Sequence, residues 1–243
     1  MPADPNPDRA SSGATADVNP LVRMAEDAGV ASRLRAARAA VAAVHRRPVN
    51  LRRYAVTSAE SVLRGARASA MIATAEGFAG GEASAIDASS LLAPDALAGT
   101  VRTFRRAPLQ VIARIDVLAG GSGRPAAGSA GGLESLAKAA GRWADHELVA
   151  ALWHGTLMSL RPFGERTGVV ARLVARIAAI SSGFDPRGLA VPEPYLNRHR
   201  EQYLRSAAGF AEDPAARDEF LALYVESWAA GAREAEGIAR AAS

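Results

Sequence analysis

The chain has 243 residues, a length that fits one domain or one domain with a tail. It contains no cysteine, which excludes disulfides, thiolate zinc sites and cysteine nucleophiles. The net charge of +4 comes from 29 Lys and Arg against 25 Asp and Glu, an imbalance too small to indicate nucleic acid as the partner. Aromatic residues make up only 5%, so the core must be built from Ala, Leu, Val and Ile.

The first residues show neither helical periodicity nor the apolar stretch of a signal peptide. Prolines recur there at positions 2, 5, 7 and 20, so the sequence predicts a disordered tail over residues 1–20. No run of about 18 apolar residues follows, as a membrane span would require. We therefore expect a cytoplasmic protein with no membrane partner.

Residues 21–92 are predicted to form the N-terminal helices. The first has four apolar residues on one face: Leu34, Ala37, Val41 and Val44. Pro48 is predicted to stop this helix. A second helix is predicted over residues 54–76, with a face of small residues that would pack closely: Val62, Ala66, Ser69 and Ala73.

Residues 93–243 are predicted to form a helical domain. Pro108 interrupts its first helical pattern, Asp145 is a candidate N-cap, and Asp213 precedes the last long helix. The glycine-rich residues 120–132 are interpreted as a flexible linker or flap, since they follow a helix and lack the spacing of a dinucleotide fingerprint. Only residues 189–191 suggest an extended segment. The fold class is therefore predicted to be all-α.

The most informative stretch is residues 160–172, L-R-P-F-G-E-R-T-G-V-V-A-R. Pro162 and Phe163 interrupt one helix, and Thr167 with Gly168 can open the next. Backbone N–H groups at such a helix start can face an anion. The stretch thus has the form of a phosphate-binding loop that leads into a helix.

These residues and their surroundings resemble the Fic (Fido) domain family, whose motif is written H-P-F-x-(D/E)-G-N-G-R-x-x-R. Residues 147–154 resemble the helix that leads into that motif, and residues 182–186, Tyr203 and Trp228 resemble later elements. The similarity covers residues 104–230 and extends more faintly back to position 54. It implies a Fic-like helical bundle with a short flap or extended segment, and ATP or another nucleotide with Mg²⁺ as the candidate cofactor.

The family motif is only partly kept. Five positions match it: Pro162, Phe163, Glu165, Gly168 and Arg172. Four positions depart from it: Arg161 replaces the histidine, Arg166 replaces a glycine, Thr167 replaces the asparagine and Val169 replaces the first arginine. In the family, the histidine takes the proton from a target hydroxyl that attacks the nucleotide α-phosphate. Arginine keeps its proton, so Arg161 cannot be this base and the chain has no candidate catalytic residue.

The resemblance assigns the rest of the loop to ligand binding. Five residues are candidates for binding a nucleotide or phosphate: Gly164, Arg166, Thr167, Gly168 and Arg172. Glu165 is the candidate Mg²⁺ ligand, with favourable interaction with the helix dipole as its alternative role. For Arg172, an ion pair within the protein is the alternative to a phosphate contact.

Two residues outside the loop enter the same comparison. Many family members carry an inhibitory helix whose glutamate pairs with the second motif arginine, and residues 68–77 resemble it, with Glu76 as the candidate glutamate. The hydroxyl residue of that pattern does not align with Glu76, so a pair with Arg172 would be structural. His154 lies about 10 Å before Arg161 along the helix, too far to replace the base, and is expected to be packed.

The leading hypothesis is a degenerate Fic-like protein without adenylyltransferase activity, which acts as a binding or regulatory module for a protein partner. The alternative is an active nucleotidyl- or phosphoryl-transfer enzyme that binds a phosphorylated ligand through Arg161, Arg166 and Arg172. A third class, nucleic-acid binding, depends on the many arginines in residues 23–53, for which a solvated helix face is the simpler explanation.

Overall fold

The computed structural model describes residues 20–243, which form thirteen α-helices, two short 3₁₀ helices and no β-strand. The all-α prediction is confirmed. The predicted tail lies outside the described residues except for Pro20, which begins the first helix. The α-helices are α1 (Pro20–Glu26), α2 (Ala28–His45), α3 (Pro48–Arg52), α4 (Tyr54–Ala75), α5 (Gly81–Ser89), α6 (Leu97–Arg106), α7 (Pro108–Leu118), α8 (Ala130–Arg142), α9 (Val149–Leu160), α10 (Thr167–Ser181), α11 (Glu193–Arg198), α12 (Arg200–Ala208) and α13 (Pro214–Ala241).

The two predicted N-terminal helices correspond to α2 and α4. The four apolar residues chosen for α2 are all buried: Leu34, Ala37, Val41 and Val44. The Asp27 carboxylate caps α2 by accepting from the Gly29 and Val30 N–H groups. Pro48 does more than end this helix, because α2 already stops at His45 and Pro48 is the first residue of α3.

Three sequence-based boundaries are wrong. Asp145 does not cap α9, which begins at Val149 after a series of turns where the Leu148 N–H donates to His146 Nδ1 at 3.1 Å. The glycine-rich loop is shorter than predicted, since its last residues already belong to α8. The helix predicted after Tyr195 is divided at His199 into α11 and α12.

The helix α10 lies at the centre of the molecule, and every one of its residues is buried. It packs against α9, α4, α6, α7 and α5. Its sequence is apolar on all sides apart from a few positions, which is typical of a helix surrounded by other helices. The two arginines in it, Arg172 and Arg176, are therefore carried into the interior.

The chain after α10 passes close to α13. Residues 189–191 form no strand, but the Val191 N–H donates to the Gly231 carbonyl oxygen at 3.2 Å. A Cβ on Gly231 would lie 2.7 Å from the carbonyl carbon of Val191, so only glycine permits this approach. The same helix packs along α2, which joins the two ends of the described chain in one core. No helix among residues 20–243 is long and apolar enough to cross a membrane.

Candidate functional site

The loop between α9 and α10 begins with a residue in the left-handed conformation. Arg161 has φ 45° and ψ 47°, and its N–H donates to the Leu157 carbonyl oxygen at 3.0 Å. Many helices end with a residue in the left-handed conformation, and that residue is normally glycine. Pro162 follows and cannot continue the helix, so the sequence itself forces the turn.

The middle of the loop is fixed to the start of α10. The buried Phe163 ring anchors it in the core, and the Phe163 N–H donates to Thr167 Oγ1 at 3.0 Å. Thr167 is itself buried. Its hydroxyl is therefore used to hold the loop, in the position where the resemblance placed a ligand-binding group.

Arg166 forms an ion pair with a buried carboxylate on α7. Its Nε donates to Asp116 Oδ1 at 2.7 Å, and Asp116 is fully buried. The same carboxylate accepts from the Gly123 N–H at 2.8 Å, and the Ala126 N–H donates to the Pro162 carbonyl oxygen at 2.8 Å. The glycine-rich segment after α7 is thus tied to the motif loop, with Arg166 as one of the ties.

Arg172 is enclosed by residues of α4 and α12. Its Nε donates to Ser69 Oγ at 2.8 Å, and Nη2 donates to the Ser69 carbonyl oxygen at 3.1 Å. Its Nη1 lies 3.2 Å from Glu76 Oε2 and 3.3 Å from the Tyr203 hydroxyl. All three guanidinium nitrogens of Arg172 therefore have partners within the protein, and the side chain is 1% exposed.

Glu76 reaches the first turn of α10. A Cβ built on Gly168 would lie 2.2 Å from Glu76 Oε2 and 2.9 Å from Arg172 Nη2. The N-terminus of a helix favours a negative charge, and a carboxylate there gains from the aligned backbone dipoles. Gly168 thus leaves room at this helix start for the carboxylate of Glu76.

His154 continues the buried polar network towards α9. Its Nε2 lies 2.7 Å from the hydroxyl of Tyr203, and its ring packs edge-on against Tyr203, Phe220 and Tyr224. Burial, together with the charge of Arg172, lowers the pKa of His154 to about 3. The Tyr203 hydroxyl also accepts from Arg172 Nη1, so this hydroxyl connects the arginine to the imidazole. The histidine is packed, as expected, and holds Tyr203 in place.

A second buried arginine, Arg176, lies one turn after Arg172 and was not singled out from the sequence. Its Nη2 donates to the Gly188 carbonyl oxygen at 2.9 Å, and its Nη1 lies 3.9 Å from Glu193 Oε1. The signal for both arginines is on α4, where small residues recur every four positions at Ser61, Gly65 and Ser69. A Cβ on Gly65 would lie 2.6 Å from Arg176 Nη1, so this row makes space for the guanidinium groups.

The predicted site residues therefore divide into two groups. The first is buried or paired inside the protein: Glu76, Arg166, Thr167, Gly168 and Arg172. The second is exposed on the loop: Arg161, Gly164 and Glu165. Among the described residues no cluster of His, Asp and Glu is arranged to hold a metal ion, so Glu165 as a Mg²⁺ ligand stays a prediction.

The position of the family's histidine is held by an arginine, and the buried Arg172 contacts groups of the protein itself. Comparisons with models of protein families, with curated protein sequences and with solved structures gave no match to this chain. The resemblance to the Fic family consequently stays a prediction that depends on the motif and on the order of the helices.

Proposed function

We propose that this protein is a Fic-like binding or regulatory module that does not transfer nucleotides. The observation that carries the proposal is the pair of arginines at the two ends of the motif. Arg161 occupies the position of the family base and keeps its proton, so it cannot activate a hydroxyl. Arg172, which would bind phosphate, is already bonded to Ser69, Glu76 and Tyr203.

The position of Glu76 supports the same proposal. Its carboxylate lies beside Gly168 at the start of α10, where it neutralises Arg172. A nucleotide phosphate at this place would have to displace a buried carboxylate and leave it without its cation, which is costly. The alternative, a transferase that binds a phosphorylated ligand through Arg161, Arg166 and Arg172, needs two arginines that are paired here with Asp116 and Glu76.

Nucleotide transfer is tested directly on the full chain. The protein is incubated with labelled ATP, CTP, GTP or UTP and Mg²⁺, and we expect no label on the protein or on added target proteins. The Arg161→His variant, which restores the family base, is expected to stay inactive because Arg166, Thr167 and Val169 still depart from the motif. Labelling of the unmodified protein that Glu165→Ala abolishes would overturn the proposal.

A stability measurement distinguishes a structural Glu76 from an inhibitory one. We expect Glu76→Gln to lower the free energy of unfolding by about 3–5 kcal/mol, because Arg172 would be left buried without a counter-charge. The matched control is Glu82→Gln, since Glu82 pairs with Arg67 at 3.0 Å on the surface and such pairs contribute about 1 kcal/mol or less. A stable Glu76→Gln variant that gains nucleotide binding by calorimetry would favour the transferase alternative.

The exposed part of the loop is the proposed contact for a protein partner. Arg161, Gly164 and Glu165 are exposed on a turn that Phe163 and Thr167 hold rigidly. A photo-crosslinking amino acid in place of Glu165 is expected to capture a partner that the same group at the exposed Glu201 of α12 does not. Equal capture from both positions would argue against the loop as the contact.

A further inference from the structure

A separate cavity of about 450 Å³ lies at the opposite end of the α9–α10 pair from the motif loop. Its residues on α10 are Ala178 and Ser181, near the end of that helix, whereas the loop precedes Thr167. Ten residues of helix between Gly168 and Ala178 correspond to about 15 Å. The cavity shares no residue with the candidate site, so its role is independent of the proposed function.

The inner surface of the cavity is aromatic and apolar. Phe104 of α6 and Trp153 of α9 contact each other with ring centroids 5.4 Å apart and planes tilted by 54°. Val149 and Ala178 complete this surface. Aromatic and aliphatic side chains of this kind line the pockets that bind small molecules in proteins.

The helix α8 contributes only small residues to the lining of the cavity. Ala137, Ala140 and Gly141 line the cavity, and a Cβ built on Gly141 would meet no atom within 4 Å. The break between α6 and α7, where Ala107 precedes Pro108, separates the two helices beside the same space. The small residues of α8 and the break before Pro108 therefore account for the space.

The rim of the cavity carries two arginines and one carboxylate. Arg105 is held at the end of α10, where its Nε donates to Ser181 Oγ at 3.0 Å and its Nη2 to the Ser181 carbonyl oxygen. Arg106 is exposed, and its guanidinium has no hydrogen bond or ion pair with any residue in 20–243. Asp145 is likewise exposed and unpaired within that part of the chain. The rim thus has an excess of positive charge and one guanidinium that is free to bind a ligand.

We propose that this cavity binds a small amphipathic carboxylate. The apolar body of the ligand lies against Phe104 and Trp153, and its carboxylate accepts from the guanidinium of Arg106. Arginine presents a planar set of donors that matches a carboxylate, and such charge-assisted hydrogen bonds are stronger than neutral ones. An amine is disfavoured because Asp145 is outnumbered by the two arginines.

Calorimetry on the full chain tests the ligand class with three probes that differ only in the head group. We expect phenylbutanoate to bind at one site, phenylbutanol to bind about tenfold more weakly, and phenylbutylamine not to bind. Equal affinity for the acid and the alcohol, tighter binding of the amine, or no binding of the acid at millimolar concentration would each overturn the proposal.

Two pairs of variants test the place of binding. Gly141→Leu fills the cavity with a residue that favours helix, and is expected to abolish phenylbutanoate binding. Gly131→Leu lies on the same helix outside the cavity, also with no atom near its added Cβ, and should keep the affinity within about twofold. Arg106→Gln should weaken binding about tenfold, while Arg102→Gln, one turn earlier and outside the cavity, should not. If the two members of either pair change the affinity equally, the site is not this cavity.

Discussion

Arg161 has a backbone conformation that its side chain disfavours. Among residues 20–243 it is the only residue other than glycine with positive φ. The left-handed conformation brings Cβ close to the following carbonyl oxygen, which glycine avoids. The structure thus retains arginine at a helix end where glycine would be more stable, a feature that fits a function for the exposed guanidinium.

Replacement of this residue separates the backbone from the side chain. We expect Arg161→Gly to raise the free energy of unfolding by about 1 kcal/mol, because the left-handed conformation costs glycine nothing in steric energy. Arg161→Ala removes the same guanidinium and keeps the strain, so it should give no such gain. Urea denaturation of both variants measures the difference. A loss of stability in Arg161→Gly would mean that the arginine side chain stabilises the loop more than its backbone strains it.

His154 makes the stability of the protein depend on pH. Its pKa is lowered from 6.5 to about 3 in the folded protein, so the unfolded chain takes up a proton first as the pH falls. The contribution of His154 is therefore complete above pH 6.5 and is lost progressively between pH 6.5 and about 3, with a slope of about 1.4 kcal/mol per pH unit. Urea denaturation across this range gives the free energy of unfolding at each pH. We expect this free energy to change less steeply with pH in His154→Gln, by about 1.4 kcal/mol per pH unit, which corresponds to one proton. An unchanged slope would contradict the buried neutral state.

The roles of the buried polar residues were only partly accessible from the sequence. The pairing of Glu76 with Arg172 was foreseen as an alternative, because both residues stand in recognisable patterns. The ion pair between Arg166 and Asp116 was not predicted, since the two residues lie 50 positions apart and no local pattern connects them. Arg176 was missed because it lies outside the motif, and its contacts with the small residues of α4 are more than 100 positions away in the sequence.

Among the helices, α13 approaches the chain after α10 closely at a single glycine. Gly231 faces the backbone of Val191, and α13 could not approach this segment with a larger residue. We expect Gly231→Ala to lower the free energy of unfolding by about 1–3 kcal/mol through overpacking. Gly237→Ala in the same helix has open space and should raise the free energy of unfolding by about 1 kcal/mol through helix propensity.

Thermal or urea denaturation of the two alanine variants provides the measurement. Both substitutions add one methyl group to the same helix, so a difference in sign between them isolates the steric contact. Similar changes in stability for Gly231→Ala and Gly237→Ala would indicate that α13 does not depend on this close approach.

Long helices were easier to predict than their boundaries. The apolar residues that identify α2 recur within a few positions of each other, and Asp213 with Pro214 marks the start of α13, so local rules suffice for both helices. Asp145 has the preferred residue type of an N-cap, yet His146 takes the local hydrogen bond and the helix begins later. The start of α8 lies within a glycine run, where intrinsic propensity opposes the helix and tertiary packing decides.

At the scale of the whole molecule, the N-terminal and C-terminal helices share one core. Most of the buried apolar residues form a single cluster, whose members range from Leu21 to Ala235. The division into residues 21–92 and 93–243 stays a prediction, but α2 packs on α13 and α4 packs on α10 across it. Such packing is expected to make the described chain unfold as one unit.

Hydrogen exchange in the native state tests this cooperativity. The amides of Val41 in α2 and Val174 in α10 are expected to open with free energies that agree within about 1 kcal/mol, because both would require global unfolding. A Val41 amide that opens at a clearly lower free energy, with a smaller dependence on denaturant, would instead support an N-terminal domain that unfolds alone.

The two buried arginines also determine how α4 can slide along α10. Ser61, Gly65 and Ser69 repeat at the same interval as Arg172 and Arg176, so displacement by one helical turn would still find small residues opposite each guanidinium. Small residues alone would therefore permit more than one alignment. Glu76, which directly follows α4, removes this ambiguity, since a shift of α4 would separate its carboxylate from Arg172. Charge thus selects a single register in a helix pair whose apolar contacts would tolerate several.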